Sequence, residues 1–329
     1  MSTELLTVEG LTVTFPAPTG RVAVVADLSF AVGRGELVGL VGESGCGKSV
    51  TALSLLRLVP PPGRVESGRV LLDGRDLLAL PEDELRRVRG ARIALVFQEP
   101  MTALNPVFTI GFQIVEAIRV HRRVSRAAAR RRAAELLDLV AMPEPQRRLR
   151  DYPHQLSGGQ RQRAMVAMAL AAGPELLVAD EPTTALDVTV QAQILELLQR
   201  LRSELGLAVL LITHDLAVVA ETCERVLVMY AGRKVEEAAV EDLFARPAHP
   251  YTVGLLGAVP QLGRPAARGR LPTIPGQVPD PSELPPGCAF EPRCGEAMPE
   301  CSQAVPPLFP VGERHVARCV LHRPAGATR

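Results

Sequence analysis

The segment Gly42-Glu43-Ser44-Gly45-Cys46-Gly47-Lys48-Ser49 constrains this chain more than any other stretch, because it satisfies the pattern GxxxxGK[ST] in full. An apolar run, Leu37–Val41, precedes it and a helical pattern over 49–58 follows, so the loop joins a strand to a helix. Glycines in such a loop let backbone N–H groups turn inward around phosphates, while the next helix offers its positive end. Lys48 is placed to reach the β- and γ-phosphates, and the Ser49 hydroxyl to meet a magnesium ion. Composition makes the lysine more telling: of 37 basic residues only Lys48 and Lys234 are lysine.

A second element complements the first. Leu176–Pro182 reads LLVADEP, an apolar strand that ends in Asp180. A carboxylate at the C-terminal edge of a parallel sheet stands where Mg²⁺ on bound phosphates belongs. Glu181 follows directly and can orient or deprotonate a water attacking the γ-phosphate. Leu156-Ser157-Gly158-Gly159-Gln160 precedes another helix and forms a second anion-binding helix start. A single nucleotide has no need of both helix ends in one subunit, so two subunits are expected to face each other, each supplying one end to each nucleotide. Gln98, after the strand Ile93–Phe97, suits a contact with Mg²⁺ and water. His214, after the strand Leu207–Thr213, suits a hydrogen bond to the γ-phosphate.

Around these motifs the chain alternates. Residues 1–35 read as short strands of an antiparallel edge layer, and 110–149 as helical and arginine-rich, with Leu136, Leu137 and Val140 on one face. Strands alternating with helices from 159 to 230 indicate a parallel sheet covered on both faces. Asp73-Gly74 marks a turn and Gly232-Arg233 a final hairpin. A length of 329 residues at 47% hydrophobic content supports one large α/β domain and a smaller appendage. The net charge of +1 gives no global field for nucleic acid or anionic lipid, and the arginines of 126–140 read as a solvated helix face. The N-terminus lacks a basic start followed by an apolar run, and there is no apolar stretch of membrane-spanning length, so a cytosolic protein is expected.

Over about residues 5–258 the chain resembles the ABC ATPase family. The resemblance implies a P-loop NTPase (RecA-like) parallel-sheet core with an antiparallel β layer and a helical subdomain. It makes Gly42–Ser49 the Walker A loop, Gln98 the Q-loop, Leu156–Gln160 the signature and Asp180 the end of Walker B. It further makes Glu181 the general base, Ala185-Leu186-Asp187 the D-loop and His214 the switch histidine. Val50 extends the set of nucleotide contacts, and Phe15 would stack on adenine. ATP and Mg²⁺ are the implied cofactors, with Ser49, Gln98 and Asp180 around the metal. Cys46 stands where a small residue is usual and is expected to sensitise the loop to thiol reagents.

Beyond residue 258 the character changes, and the segment 259–329 is set apart as a Pro/Gly-rich linker (260–287) and a cysteine-bearing extension. Cys288, Cys294, Cys301 and Cys319 give C-x5-C-x6-C-x17-C. Four thiols so close in a reducing compartment suggest a metal centre rather than disulfides. The spacing lacks paired knuckles usual for zinc and suits an iron–sulfur cluster better, with free buried thiols as the plain alternative and His315 and His322 as substitute ligands. This tail, together with HPYTVGLLGAVP (249–260) and QEPMTALNP (98–106), is similar to the dipeptide- and oligopeptide-importer ATPases, D-type subunits above all. That resemblance implies a [4Fe–4S] cluster on the four cysteines, with Zn²⁺ as the alternative. The implied partners are a paralogous ATPase, two membrane permeases docked near the Q-loop and 110–117, and an extracytoplasmic peptide-binding protein. The place implied is the cytoplasmic face of the membrane. Nickel or another small solute is the alternative cargo, and a soluble ABC ATPase acting on nucleic acid or ribosomes the alternative class.

Overall fold

The computed structural model describes residues 4–18, 20–99, 103–184, 186–259 and 273–324. Two compact units emerge, one made of Met1–Leu6, Ala31–Leu37 and Leu71–Ile212, the other of Thr7–Phe30, Val38–Val70 and Thr213–Arg329.

The second unit holds the phosphate loop. Strand β1 (Glu4–Ala17) lies between β2 (Gly20–Gly33) and β4 (Arg64–Leu72) in one sheet, and the two-residue β5 (Arg75–Asp76) pairs with β4. In the other, β3 (Leu37–Val41) pairs in parallel with β9 (Arg225–Tyr230), Val41 opposite Val228. Every residue of β3 is buried, as expected of a strand covered on both faces. Strand β10 (Arg233–Ala239) returns antiparallel to β9, with Tyr230 opposite Arg233. The two-residue turn is therefore Ala231-Gly232, one position before the expected pair, and both residues take positive φ, +45 and +80. Positive φ at both turn positions matches the twist of the flanking strands.

That hairpin is not the last piece of sheet. β12 (His315–Ala317) pairs with β10, and β11 (Phe309–Gly312) with β12, both antiparallel. Phe290, 3% exposed, joins Val41, Val226, Val228, Tyr230 and Tyr251 in the core of this unit. Burying its side chain contributes roughly 2–3 kcal/mol. Of the linker expected over 260–287, residues 260–272 lie outside the described residues, and 273–287 form neither helix nor strand. Helices α1 (Lys48–Leu55), α8 (Leu216–Thr222), α9 (Val240–Ala245) and α10 (Pro250–Gly257) complete the unit.

In the first unit, β6 (Ile93–Val96), β7 (Leu176–Asp180) and β8 (Ala208–Thr213) run parallel, with Leu176 opposite both Ile93 and Ala208. Its helices are α2 (Glu82–Val88), α3 (Ile110–His121), α4 (Arg126–Leu139), the short α5 (Pro145–Arg148), α6 (Gly158–Ala169) and α7 (Val188–Leu205). Thr109, Ser125, Ser157 and Asp187 each cap the helix that follows, accepting a backbone N–H of its first turn. Helix α4 buries Ala129, Ala133, Leu136 and Leu137 and turns Arg130, Arg131 and Arg132 outward, so the arginine-rich face is solvated. Asp73 and Gly74 take φ of +48 and +75 between Leu72 and Arg75, the turn the sequence predicts there. Among the described residues no helix is long and apolar enough to cross a membrane.

Candidate nucleotide-binding site

The phosphate loop runs from the end of β3 to the start of α1, and its glycines answer to steric demands. A Cβ on Gly42 would lie 2.3 Å from the Met229 carbonyl oxygen, and one on Gly47 2.7 Å from that of Val24. Gly47 also takes φ +99, a left-handed conformation that costs glycine nothing. It precedes α1 without any side-chain cap, so the N–H groups at that helix start, Ser49 and Val50 among them, are left to other acceptors. Lys48 is 5% exposed, and its Nζ donates to the carbonyls of Gly42 (2.7 Å) and Glu43 (3.1 Å). The ammonium therefore sits inside the loop, near the positive helix end, where both charges favour an anion. Cys46 is fully buried, and burial pushes its thiol pKa up. That runs against the reactivity expected of it, since the thiolate is the nucleophile.

In the first unit, Asp180 ends β7 and is 7% exposed. Glu181 leaves the strand with φ +45, a strained conformation for a residue with a Cβ, and its N–H donates to Ile212 O at 2.9 Å. Its Oε2 accepts from Gln98 Nε2 at 3.0 Å and from Thr184 Oγ1 at 2.9 Å. The structure thus joins two of the expected site residues, Gln98 and Glu181, and adds Thr184, which sequence reasoning missed. Two neutral donors on one oxygen fix the carboxylate plane. Oxygen donors of the kinds offered by Ser49, Gln98 and Asp180 suit a hard cation such as Mg²⁺.

Ser157 caps α6 in a reciprocal box. Its Oγ accepts from Gln160 N at 3.4 Å, and its own N–H donates to Gln160 Oε1 at 3.1 Å. Gly158 and Gly159 are packing positions as well. A Cβ on Gly159 would lie 2.5 Å from Val190 Cγ1, and one on Gly158 3.2 Å from Leu186 Cδ2. Of the expected D-loop, Ala185 lies outside the described residues, while Asp187 caps α7 by accepting from Val190 N at 3.0 Å. Phe15 is half-buried on β1, its ring over Gly63, where any Cβ would stand 2.5 Å from it. His214 is exposed just beyond β8.

Two residues beyond the expected set meet the phosphate loop inside the second unit. Glu43 N donates to the Tyr251 hydroxyl at 2.8 Å, and the Glu43 carboxylate takes a two-pronged pair from Arg293, 2.7 and 3.0 Å. Tyr251 lies in the quoted HPY stretch without an assigned role. Arg293 carries no sequence signal, being 250 positions away.

In the tail, Cys288, Cys294, Cys301 and Cys319 line one cavity of about 10 Å³, together with His249, Pro250 and Phe290. That is room for about one water-sized sphere. Among the described residues no group of three or more His, Cys, Asp or Glu is arranged to hold a metal ion. The four thiols of the expected [4Fe–4S] cluster thus face one space without an arrangement that holds a metal. The substitute ligands are engaged elsewhere: His315 Nε2 with buried Glu236 at 2.8 Å, His322 Nε2 with Ala248 O at 2.7 Å.

Known proteins match this arrangement. The ABC transporter family pattern fits residues 25–184, and the pattern described as the oligopeptide/dipeptide transporter C-terminal region fits 235–301. A probable peptide ABC transporter ATP-binding protein of Sinorhizobium fredii, y4tR, is 54% identical over 96% of this chain and 94% of its own length. A putative peptide import ATP-binding protein of Brucella abortus is 52% identical over 96% of both chains. Among solved structures, the dimeric ATP-binding cassette MJ0796 bound to ADP and Pi aligns with TM-score 0.65 and 30% identity, covering 71% of this chain and 98% of that one. The cassette cbiO1 of Clostridium perfringens, part of the ABC transporter complex cbiONQ, aligns with TM-score 0.63 and 26% identity, covering 74% and 92%. Matched over nearly its whole length, the chain belongs to the ATP-binding proteins of ABC transporters and is an ATPase of that cassette fold.

Proposed function

We propose that this ATPase energises the import of di- or oligopeptides as one of two nucleotide-binding subunits beneath a pair of membrane permeases, on the cytoplasmic face of the membrane. The observation that carries the reading is near-full-length identity, tail included, to proteins named for peptide import, joined to the match over 235–301. The implied set also holds a paralogous ATPase and an extracytoplasmic peptide-binding protein. Isolating the intact complex, and identifying the solute held by its binding protein, decides between peptide and the alternatives, nickel or another small solute.

In the proposed reaction Lys48, with the loop N–H groups, neutralises the β- and γ-phosphates, and Phe15 stacks on the adenine. Mg²⁺, held by Ser49, Gln98 and Asp180, would supply charge neutralisation at the phosphates. Glu181, its plane set by Gln98 and Thr184, takes a proton from the water that attacks the γ-phosphorus. The bond to the bridging oxygen breaks and ADP leaves with the electron pair. His214 hydrogen-bonds the γ-phosphate. Ser157 and the α6 N-terminus serve the nucleotide of the facing subunit, with Asp187 beside them. Glu181→Gln keeps the shape and removes the base, so hydrolysis should fall at least a hundredfold while ATP holds the subunits together. Wild-type turnover in that variant removes Glu181 from the role.

For the tail we propose a metal centre on the four cysteines, [4Fe–4S] or Zn²⁺, supported by the one cavity that all four line. Metal and acid-labile sulfide analysis of protein purified without oxygen tests it. Neither iron nor zinc would return the four to buried free thiols.

A further inference from the structure

The phosphate loop is gripped from outside by the C-terminal segment, and the grip converges on one residue. Glu43 is held at all three of its polar groups. Its N–H donates to Tyr251 Oη at 2.8 Å, and its carbonyl accepts from Lys48 Nζ at 3.1 Å and Cys46 N at 3.3 Å. Its carboxylate pairs with both terminal nitrogens of Arg293, at 2.7 and 3.0 Å. Arg293 is itself fixed from every side. Nε donates to Pro275 O at 2.8 Å, Nη1 also reaches Tyr230 Oη at 3.3 Å, and the guanidinium lies over the rings of Tyr230 and Phe290 at 5.7 and 5.8 Å. Its side chain is only 5% exposed.

A two-pronged guanidinium–carboxylate pair of this kind is directional, and burial on the arginine side strengthens it above an exposed ion pair. Breaking it from one side leaves a charge without its partner in a poorly hydrated place. The carbonyl of the same Glu43 receives Lys48, the residue that meets the phosphates, so a displaced Glu43 displaces the lysine's resting partner. We infer that Arg293, seconded by Tyr251, is a positioning residue of the phosphate loop, and that the C-terminal segment is therefore part of the nucleotide site. Arg293 touches no nucleotide in this reading and acts through Glu43. The inference rests on the chain being an ATPase, and wild-type hydrolysis is the control that separates the two.

The test is steady-state hydrolysis against MgATP concentration, with the affinity for a fluorescent ATP analogue, in the full chain and in Arg293→Ala, Arg293→Lys, Glu43→Gln and the double variant Glu43→Gln/Arg293→Ala. A loosened loop should raise KM and the analogue Kd about tenfold in Arg293→Ala with kcat within about twofold, since the chemistry is elsewhere. Arg293→Lys keeps the charge without the fork and should recover part of that loss. The double variant should be no worse than the poorer single one, because both remove the same link. A merely structural role predicts something else: fewer folded molecules, seen as a lower apparent kcat at unchanged KM. That pattern, or additive losses in the double variant, overturns the inference. Should Arg293→Ala fail to fold by circular dichroism, Glu43→Gln decides, since it leaves the other contacts of Arg293 intact. A wild-type KM and Kd there overturn it equally.

Discussion

At the start of α1, Gly47 adopts a left-handed backbone and no side chain caps the helix, whereas at the start of α6 Ser157 and Gln160 cap each other. Both are glycine-rich helix starts with a claim on phosphate, yet they meet the problem of unpaired N–H groups in opposite ways. The first leaves its N–H groups to a ligand and places a buried ammonium beside them. The second is self-sufficient and exposed, but its cap is loose. At 3.4 Å, the bond from Gln160 N to Ser157 Oγ lies beyond the usual range, so little is lost when the hydroxyl turns to another partner. In the proposed two-subunit reading, an uncapped start serves the nucleotide its own subunit holds, and a loosely capped, exposed one a nucleotide presented from elsewhere.

The largest expected effect comes from emptying the first site of its charge. Lys48→Ala should lower hydrolysis by about a hundredfold or more, the scale for removing one preorganised group that stabilises transition-state charge. Stability should change by only about 1 kcal/mol, because the lysine donates to two loop carbonyls that neighbouring N–H groups can partly serve. Steady-state hydrolysis and thermal melts with and without MgADP measure both. Turnover within tenfold of wild type would deny the uncapped start its role.

The α6 start gives a smaller effect with a sharper diagnosis. Gly159→Ala brings a Cβ to 2.5 Å from Val190 Cγ1, and overpacking of that kind costs about 1–3 kcal/mol, offset by about 1 kcal/mol of helix propensity. Adding Val190→Ala makes room and should return the melting temperature toward wild type. If the glycine is there to expose N–H groups to a nucleotide across an interface, hydrolysis stays more than tenfold down in the double variant. If it serves only packing against α7, hydrolysis returns with the melt, and the two helix starts are less alike than proposed.

Much of this was legible in the sequence because each motif is local. GxxxxGK[ST] encodes its own strand, turn and helix, LLVADEP its own strand end, and both appear where expected, β3 to α1 and β7 ending at Asp180. Asp73-Gly74 is legible for the same reason. The rest depends on contacts that distance in sequence hides. Nothing near Glu181 announces its φ of +45, which answers to the N–H bond with Ile212. The strands β11 and β12 are four and three residues long, too short for a two-residue period to show among prolines and glycines. Arg293 could not be singled out among so many arginines until folding brought it to Glu43.

Cys46 supplies the smallest effect and the cleanest contrast inside the phosphate loop itself. Four residues from Gly42, it carries the only thiol in the loop, and the sequence therefore suggests vulnerability. In the fold its sulfur is fully buried, 4.0 Å from Lys48 Nζ, and a Cβ on Gly42 would sit 2.7 Å from it. Desolvation raises the thiol pKa, with Lys48 opposing it only in part. A raised pKa means less thiolate at neutral pH, so protection by chemistry adds to protection by access. Alkylation of Cys46 in the native chain, followed by peptide mapping, should run at least about tenfold slower than in urea, and should slow as pH falls. Labelling at the unfolded rate would mean that the loop opens freely, and an uncapped helix start that opens freely could not be the preorganised one of the pair.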